Sequence, residues 1–73
     1  MIRKYSATIA HFSISKPRII THHCTLDGIK RRANGEFRAD AADARIMIFD
    51  ADGCAVASRR VRDRNWIDAE GSV

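Results

Sequence analysis

The stretch "RIMIFDADGCAVASRRV", residues 45–61, constrains the fold more than any other part of the chain. Two runs rich in β-branched and aliphatic residues flank Asp50-Ala51-Asp52-Gly53, the pattern of a β-hairpin. Asp suits the first position of a type I turn, and Gly53 supplies the left-handed residue of the bulge that follows it. The simplest register pairs Asp50 with Cys54, Phe49 with Ala55, Ile48 with Val56, Met47 with Ala57 and Arg45 with Arg59. Side chains alternate across a strand. One face then carries Ile46, Ile48, Cys54 and Val56, and the other Met47, Phe49, Ala55, Ala57 and Val61. Both faces are partly apolar. A single helix covers only one of them, so the second needs the tail, where Trp66 and Ile67 lie, or a second copy of the chain.

The remaining elements are read in the same way. Residues 2–14, "IRKYSATIAHFSI", are rich in β-branched and aromatic residues and predict a strand, interrupted at Lys16-Pro17 because proline cannot donate to a ladder. "RIITHH" resumes as a second strand, and the two form an antiparallel hairpin. Thr25 then offers a hydroxyl to the free amides of a first helical turn, and Asp27 lies where the helix dipole favours negative charge. Leu26, Ile29, Ala33 and Phe37 recur at spacings of three and four and form one apolar stripe. Gly28 and Gly35 weaken that helix, and Asn34-Gly35 is a place where it could end early. The expectation is an α+β domain of order β-β-α-β-β: about four antiparallel strands with one helix on one face. Seventy-three residues make one domain, divided into a strand pair (1–24), a helix (25–38), a hairpin (45–61) and a tail (62–73).

Residues 25–66 resemble small bacterial and phage domains of unknown function. The matching pattern is Thr25-Leu26 at the helix start, Lys30, Ala33, the acidic-Gly turn at Asp52-Gly53, the "VASR" strand with Val56, Ala57 and Arg59, and the late aromatic Trp66. Gly28 departs from that pattern, where a helix former such as Ala or Glu is usual. The resemblance implies a fold and no activity.

The stretch "THHCT", residues 21–25, raises metal chemistry because His and Cys are common zinc ligands. A structural zinc site needs four ligands, typically in two spaced pairs; beyond His22, His23 and Cys24 the chain offers His11 and Cys54, neither paired. With Thr25 as cap, Cys24 and Ile29 instead stand at the two positions of a hydrophobic staple. "DADG" lacks the further oxygen ligands and terminal Glu of a calcium loop. No nucleophile with a base and an orienting group, and no phosphate-binding glycine loop, is legible. The expectation is a protein that is not an enzyme, with no metal site and no cofactor. Without an apolar run at the N-terminus or anywhere near 20 apolar residues together, neither a signal peptide nor a membrane partner is expected. The reading is a cytoplasmic protein with both thiols reduced.

Charge narrows the function classes further. Thirteen Lys and Arg stand against nine Asp and Glu, and residues 1–38 hold the excess, as eight basic and two acidic residues. Ten of the cations are Arg, a usage that also suits a GC-rich bacterial genome. On the helix, Asp27–Arg31 and Arg32–Glu36 have the spacing of ion pairs. The run "SRRVRDR" places Arg59, Arg60, Arg62 and Arg64 near Arg45, where facing cations would repel and an anion would relieve them. Two functional expectations follow. One is a small binding module gripping nucleic acid or an acidic protein through Arg45, Arg59, Arg60, Arg62 and Arg64. The other is a homodimer using the second apolar face through Met47, Phe49 and Trp66.

Overall fold

A computed structural model describes residues 2–13, 16 and 18–68. The expected strand end at Ile14, the break at Pro17 and the last five residues of the tail lie outside them. The elements are β1 (Arg3–Ala10), β2 (Ile19–Cys24), α1 (Leu26–Glu36), β3 (Arg45–Phe49), β4 (Ala55–Arg60) and β5 (Ile67–Asp68). They form one antiparallel sheet of order β2-β1-β3-β4-β5. The α+β class matches the expectation, but the strand count and order do not. The tail adds a fifth strand, with Ala57 opposite Asp68 and Ser58 opposite Ile67, so the order is β-β-α-β-β-β. Two residues are too few to show an alternating pattern, and β5 is set by the free edge of β4.

Both β2 and β3 run antiparallel to β1, which lies between them. The chain leaves β2, crosses one sheet face as α1 and returns as β3. Thr25 caps the helix, its Oγ1 accepting from Gly28 N at 3.0 Å. The stripe works as its spacing predicts: Ile29, Ala33 and Phe37 are fully buried. They meet Ala7 and Ile9 of β1, Ile46 and Ile48 of β3, Ala57 of β4, and Ala44 in one core. Of the expected i,i+4 ion pairs, neither is formed: Glu36 pairs instead with Arg18 at 3.4 Å, and Arg18 also holds Asp40.

The hairpin turn also follows the sequence. Gly53 N donates to Asp50 O at 3.0 Å, Gly53 has φ of 83°, and Asp50 Oδ1 accepts from Asp52 N and Cys54 N at 2.9 Å each. Phe49 pairs with Ala55 as expected. The register then slips, because Val56 is an extra residue between Ala55 and Ala57, a bulge on β4. Ile48 therefore faces Ala57, Met47 faces Ser58, Ile46 faces Arg59, and Arg45 faces Arg60. The uniform register expected from the turn alone is corrected by one residue. That slip moves Ala57 into the core and turns Arg59 towards the helix.

The helix glycines differ in what surrounds them. A Cβ on Gly28 would lie 3.2 Å from both Cys24 Cβ and Thr25 Oγ1, so the end of β2 approaches the first turn across a bare backbone. A Cβ on Gly35 would meet nothing within 4 Å. Gly35→Ala is expected to raise stability by about 0.5–1 kcal/mol through helix propensity. Gly28→Ala should forfeit that gain by pushing Cys24 and Thr25 apart. Chemical denaturation of the two variants tests the contrast; equal stabilisation by both would refute it.

Candidate nucleic-acid interface

The register places most strand side chains on one face or the other, with Val56 at the bulge unpaired. Against the helix lie Tyr5, Ala7 and Ile9 of β1, Ile20, His22 and Cys24 of β2, Ile46 and Ile48 of β3, and Ala57 and Arg59 of β4. The opposite face carries Lys4, Ser6, Thr8 and Ala10, then Ile19, Thr21 and His23, then Arg45, Met47 and Phe49, then Ala55, Ser58 and Arg60, and finally Ile67. No element among the described residues packs on this second face.

Its make-up is uneven in charge. Every ionisable strand side chain on it is basic: Lys4, His23, Arg45 and Arg60. The carboxylates engaged in ion pairs belong to the other side or its rim: Glu36 and Asp40 with Arg18, Asp68 with Lys30 at 3.1 Å, and Asp43 with His11 at 2.8 Å. Among the described residues Arg45 meets a neutral partner, Nη1 donating to Ser58 Oγ at 3.4 Å. Hydroxyls separate the cations. Ser6 Oγ and Thr21 Oγ1 are 3.1 Å apart, and Thr8 Oγ1 donates to Arg18 O at 3.0 Å. A recess of about 300 Å3 opens on this face, lined by Lys4, Ser6, Thr8, Ile19 and Phe49 and closed at one end by the turn residues Asp50, Ala51 and Gly53.

The five arginines named from the sequence do not act together. Arg45 and Arg60 face one another on the open face, and Arg62 and Arg64 are exposed in the segment after β4. Arg59 is only 9% exposed. Its Nη1 donates to the carbonyls of Arg60 at 2.9 Å, Val61 at 3.0 Å and Asp63 at 2.6 Å, and its Nη2 donates to Asn34 Oδ1 on the helix. The guanidinium lies 4.9 Å from the ring centroid of Trp66. Arg59 is thus a structural cation held by backbone dipoles and an indole face, and its fork is unavailable to an outside anion. Trp66 likewise departs from its expected company. With Arg59 beneath it and Lys30 Nζ 6.0 Å from its ring, it lies on the helix side, away from Met47 and Phe49. The described tail residues, up to Asp68, do not cover the second face.

The histidines separate too. His22 faces the helix and His23 the open side, opposite Tyr5 and Lys4 respectively. Both cysteines are free thiols, and no three of the described His, Cys, Asp and Glu side chains converge on one point. The structure does assemble one group that the sequence reading missed. Ser13 Oγ lies 2.5 Å from His11 Nδ1, and His11 Nε2 lies 2.8 Å from Asp43 Oδ1. These are the residue types of a nucleophilic triad, but Ser13 N also donates to Nδ1 at 3.1 Å, which closes a local turn. Neither the recess on the open face nor the hollow beside Thr25 and Leu26 includes any of the three. The arrangement fastens the end of β1 to the loop before β3. Asp43 comes from a distant loop, so no local spacing announces it.

No protein-family model, curated protein or solved structure matches the chain. No helix among the described residues is long and apolar enough to cross a membrane.

Proposed function

We propose that the chain is a small non-enzymatic binding module whose open sheet face takes nucleic acid. The observation that carries this reading is the charge of that face: Lys4, Arg45 and Arg60 project from it, with the imidazole of His23 opposite Lys4, and no strand carboxylate is among them. A phosphate backbone is the polyanion that such a surface fits, and the hydroxyls of Ser6, Thr21 and Ser58 add neutral partners for phosphate and sugar oxygens. Lys4 joins the arginines named from the sequence, and Arg59 leaves them.

The homodimer reading also draws on this face, through Met47, Phe49 and the exposed Ile19 and Ile67. Charge weighs against it. A two-fold interface apposes a patch to its own copy, and here that sets Lys4, Arg45 and Arg60 against the same cations of the second chain.

Fluorescence anisotropy with a labelled oligonucleotide tests the proposal. Three phosphate contacts give a slope of about −2 in log K against log salt for a single strand, or roughly 20-fold weaker binding from 50 to 200 mM. Arg45→Ala with Arg60→Ala should weaken binding and flatten the slope by about 0.7 for each cation removed. Salt-insensitive binding, or none at 50 mM, would sink the proposal. A micromolar dimer abolished by Phe49→Asp would favour the second copy.

A further inference from the structure

We infer that the recess beside Phe49 is a stacking site for one nucleobase, which makes the preferred ligand single-stranded rather than duplex. This rests on the nucleic-acid reading above and adds a class of substrate to it. Phe49 is the one Phe, Tyr or Trp among the described strand residues of the open face; Tyr5 faces the helix and Trp66 lies over Arg59. It is half-buried, stands opposite Ser6 on β1, and lines the recess together with Lys4, Thr8 and Ile19.

That lining suits a base and its phosphate, with the Asp50 carboxylate at the turn end already accepting from the amides of Asp52 and Cys54. A nucleobase is a flat apolar disc with a polar rim. The ring of Phe49 and the side chain of Ile19 supply apolar surface, the hydroxyls of Ser6 and Thr8 supply polar groups, and Lys4 supplies a cation for the attached phosphate. The recess, at about 300 Å3, stands at the bottom of the roughly 300–1,000 Å3 range of small-ligand pockets. It suits a single base. Thr8 Oγ1 already donates to Arg18 O and so offers only lone pairs, and Ser6 shares a hydrogen bond with Thr21, so recognition rests on stacking and the site should tolerate all bases.

A duplex cannot use this recess. Its bases are already stacked on one another, and its grooves are read by elements that protrude into them. The open face is a sheet with a hollow, so it can hold a base only when that base is splayed out. Along β3, Arg45 lies four residues from Phe49, about 13 Å at the rise of a strand. A strand with one base on Phe49 can therefore continue its backbone towards the Arg45 and Arg60 pair.

The test compares a single-stranded oligonucleotide of mixed sequence with the duplex of the same length at 50 mM salt. Wild type, Phe49→Leu and Phe49→Tyr are measured, with thermal melting as the check that each variant folds. The expected result is tighter binding of the single strand by about tenfold, lost in Phe49→Leu and kept in Phe49→Tyr. The salt slope should be the same in all three, because no charge changes. Phe49→Trp gives a second readout: the emission it adds to that of Trp66 in the wild type should be quenched by the single strand and unchanged by the duplex. Equal binding of both ligands, with Phe49→Leu neutral or Trp emission indifferent, overturns the stacking site while the polyanion reading stands. Binding of neither ligand overturns both.

Discussion

Arg59→Ala is expected to destabilise the domain by about 2–4 kcal/mol, lowering its melting temperature by 10 °C or more in a chain of this size. The reason is the number of groups that the guanidinium serves. It satisfies the carbonyls of Arg60, Val61 and Asp63 and the Asn34 amide oxygen, and it fills the space under Trp66. Truncation leaves those acceptors without their donor, and a buried polar group without a partner is more harmful than a lost surface contact. The segment that Arg59 organises also ties β4 to the loop before β3, through Val61 N to Ala44 O and Arg62 N to Ala42 O. Arg59→Lys should recover only part of the loss, because an ammonium lacks the planar fork. Arg60→Ala is the contrasting variant: exposed beside it, Arg60 should change stability by less than about 0.5 kcal/mol. Differential scanning calorimetry separates the two. An unshifted melting temperature for Arg59→Ala would contradict the structural role.

The second large effect is expected at Phe37. It is the largest fully buried side chain among the described residues and packs where the end of the helix meets the sheet. Phe37→Ala should remove about 3–5 kcal/mol through lost transfer energy and the cavity left behind. Four of the nine buried core residues are alanines, with little side chain to move into that cavity. A domain of this size has a total stability on the order of 4–11 kcal/mol, so the variant is expected to lose cooperative unfolding. Arg18, whose guanidinium lies 5.3 Å from the Phe37 ring centroid, would also lose its platform. Phe37→Leu keeps most of the volume and should lose less than half as much. Urea titrations followed by near-ultraviolet circular dichroism distinguish these outcomes. A sharp transition in Phe37→Ala near the wild-type midpoint would show that the core closes without the ring.

The parts legible in the sequence are those set by neighbours along the chain. The cap at Thr25, the stripe Leu26-Ile29-Ala33-Phe37 and the turn at Asp50–Gly53 each depend on residues within one or two turns of each other. All three stand where local chemistry puts them. The candidate site was only half legible. Alternation along β3 predicts that Met47 and Phe49 share one face, and they do. Lys4, which lines the same recess as Phe49, comes from the other end of the chain, and no local spacing links the two. Arg59 looked like its neighbours Arg60, Arg62 and Arg64 because composition cannot distinguish a buried arginine from an exposed one.

The sequence by itself determined one α-helix with one buried stripe, the hairpin at residues 45–61, and an excess of arginine beyond what helix-side carboxylates hold. Tertiary structure alone decided where the arginines point. A single extra residue, Val56, shifts β4 by one position against β3, and because side chains alternate, one position is the difference between core and surface. It also decided that Trp66 goes to Arg59, that Ile67 and Asp68 extend the sheet, and that no described element covers the face bearing Phe49. Those outcomes depend on contacts between segments far apart in the chain, which no local spacing encodes.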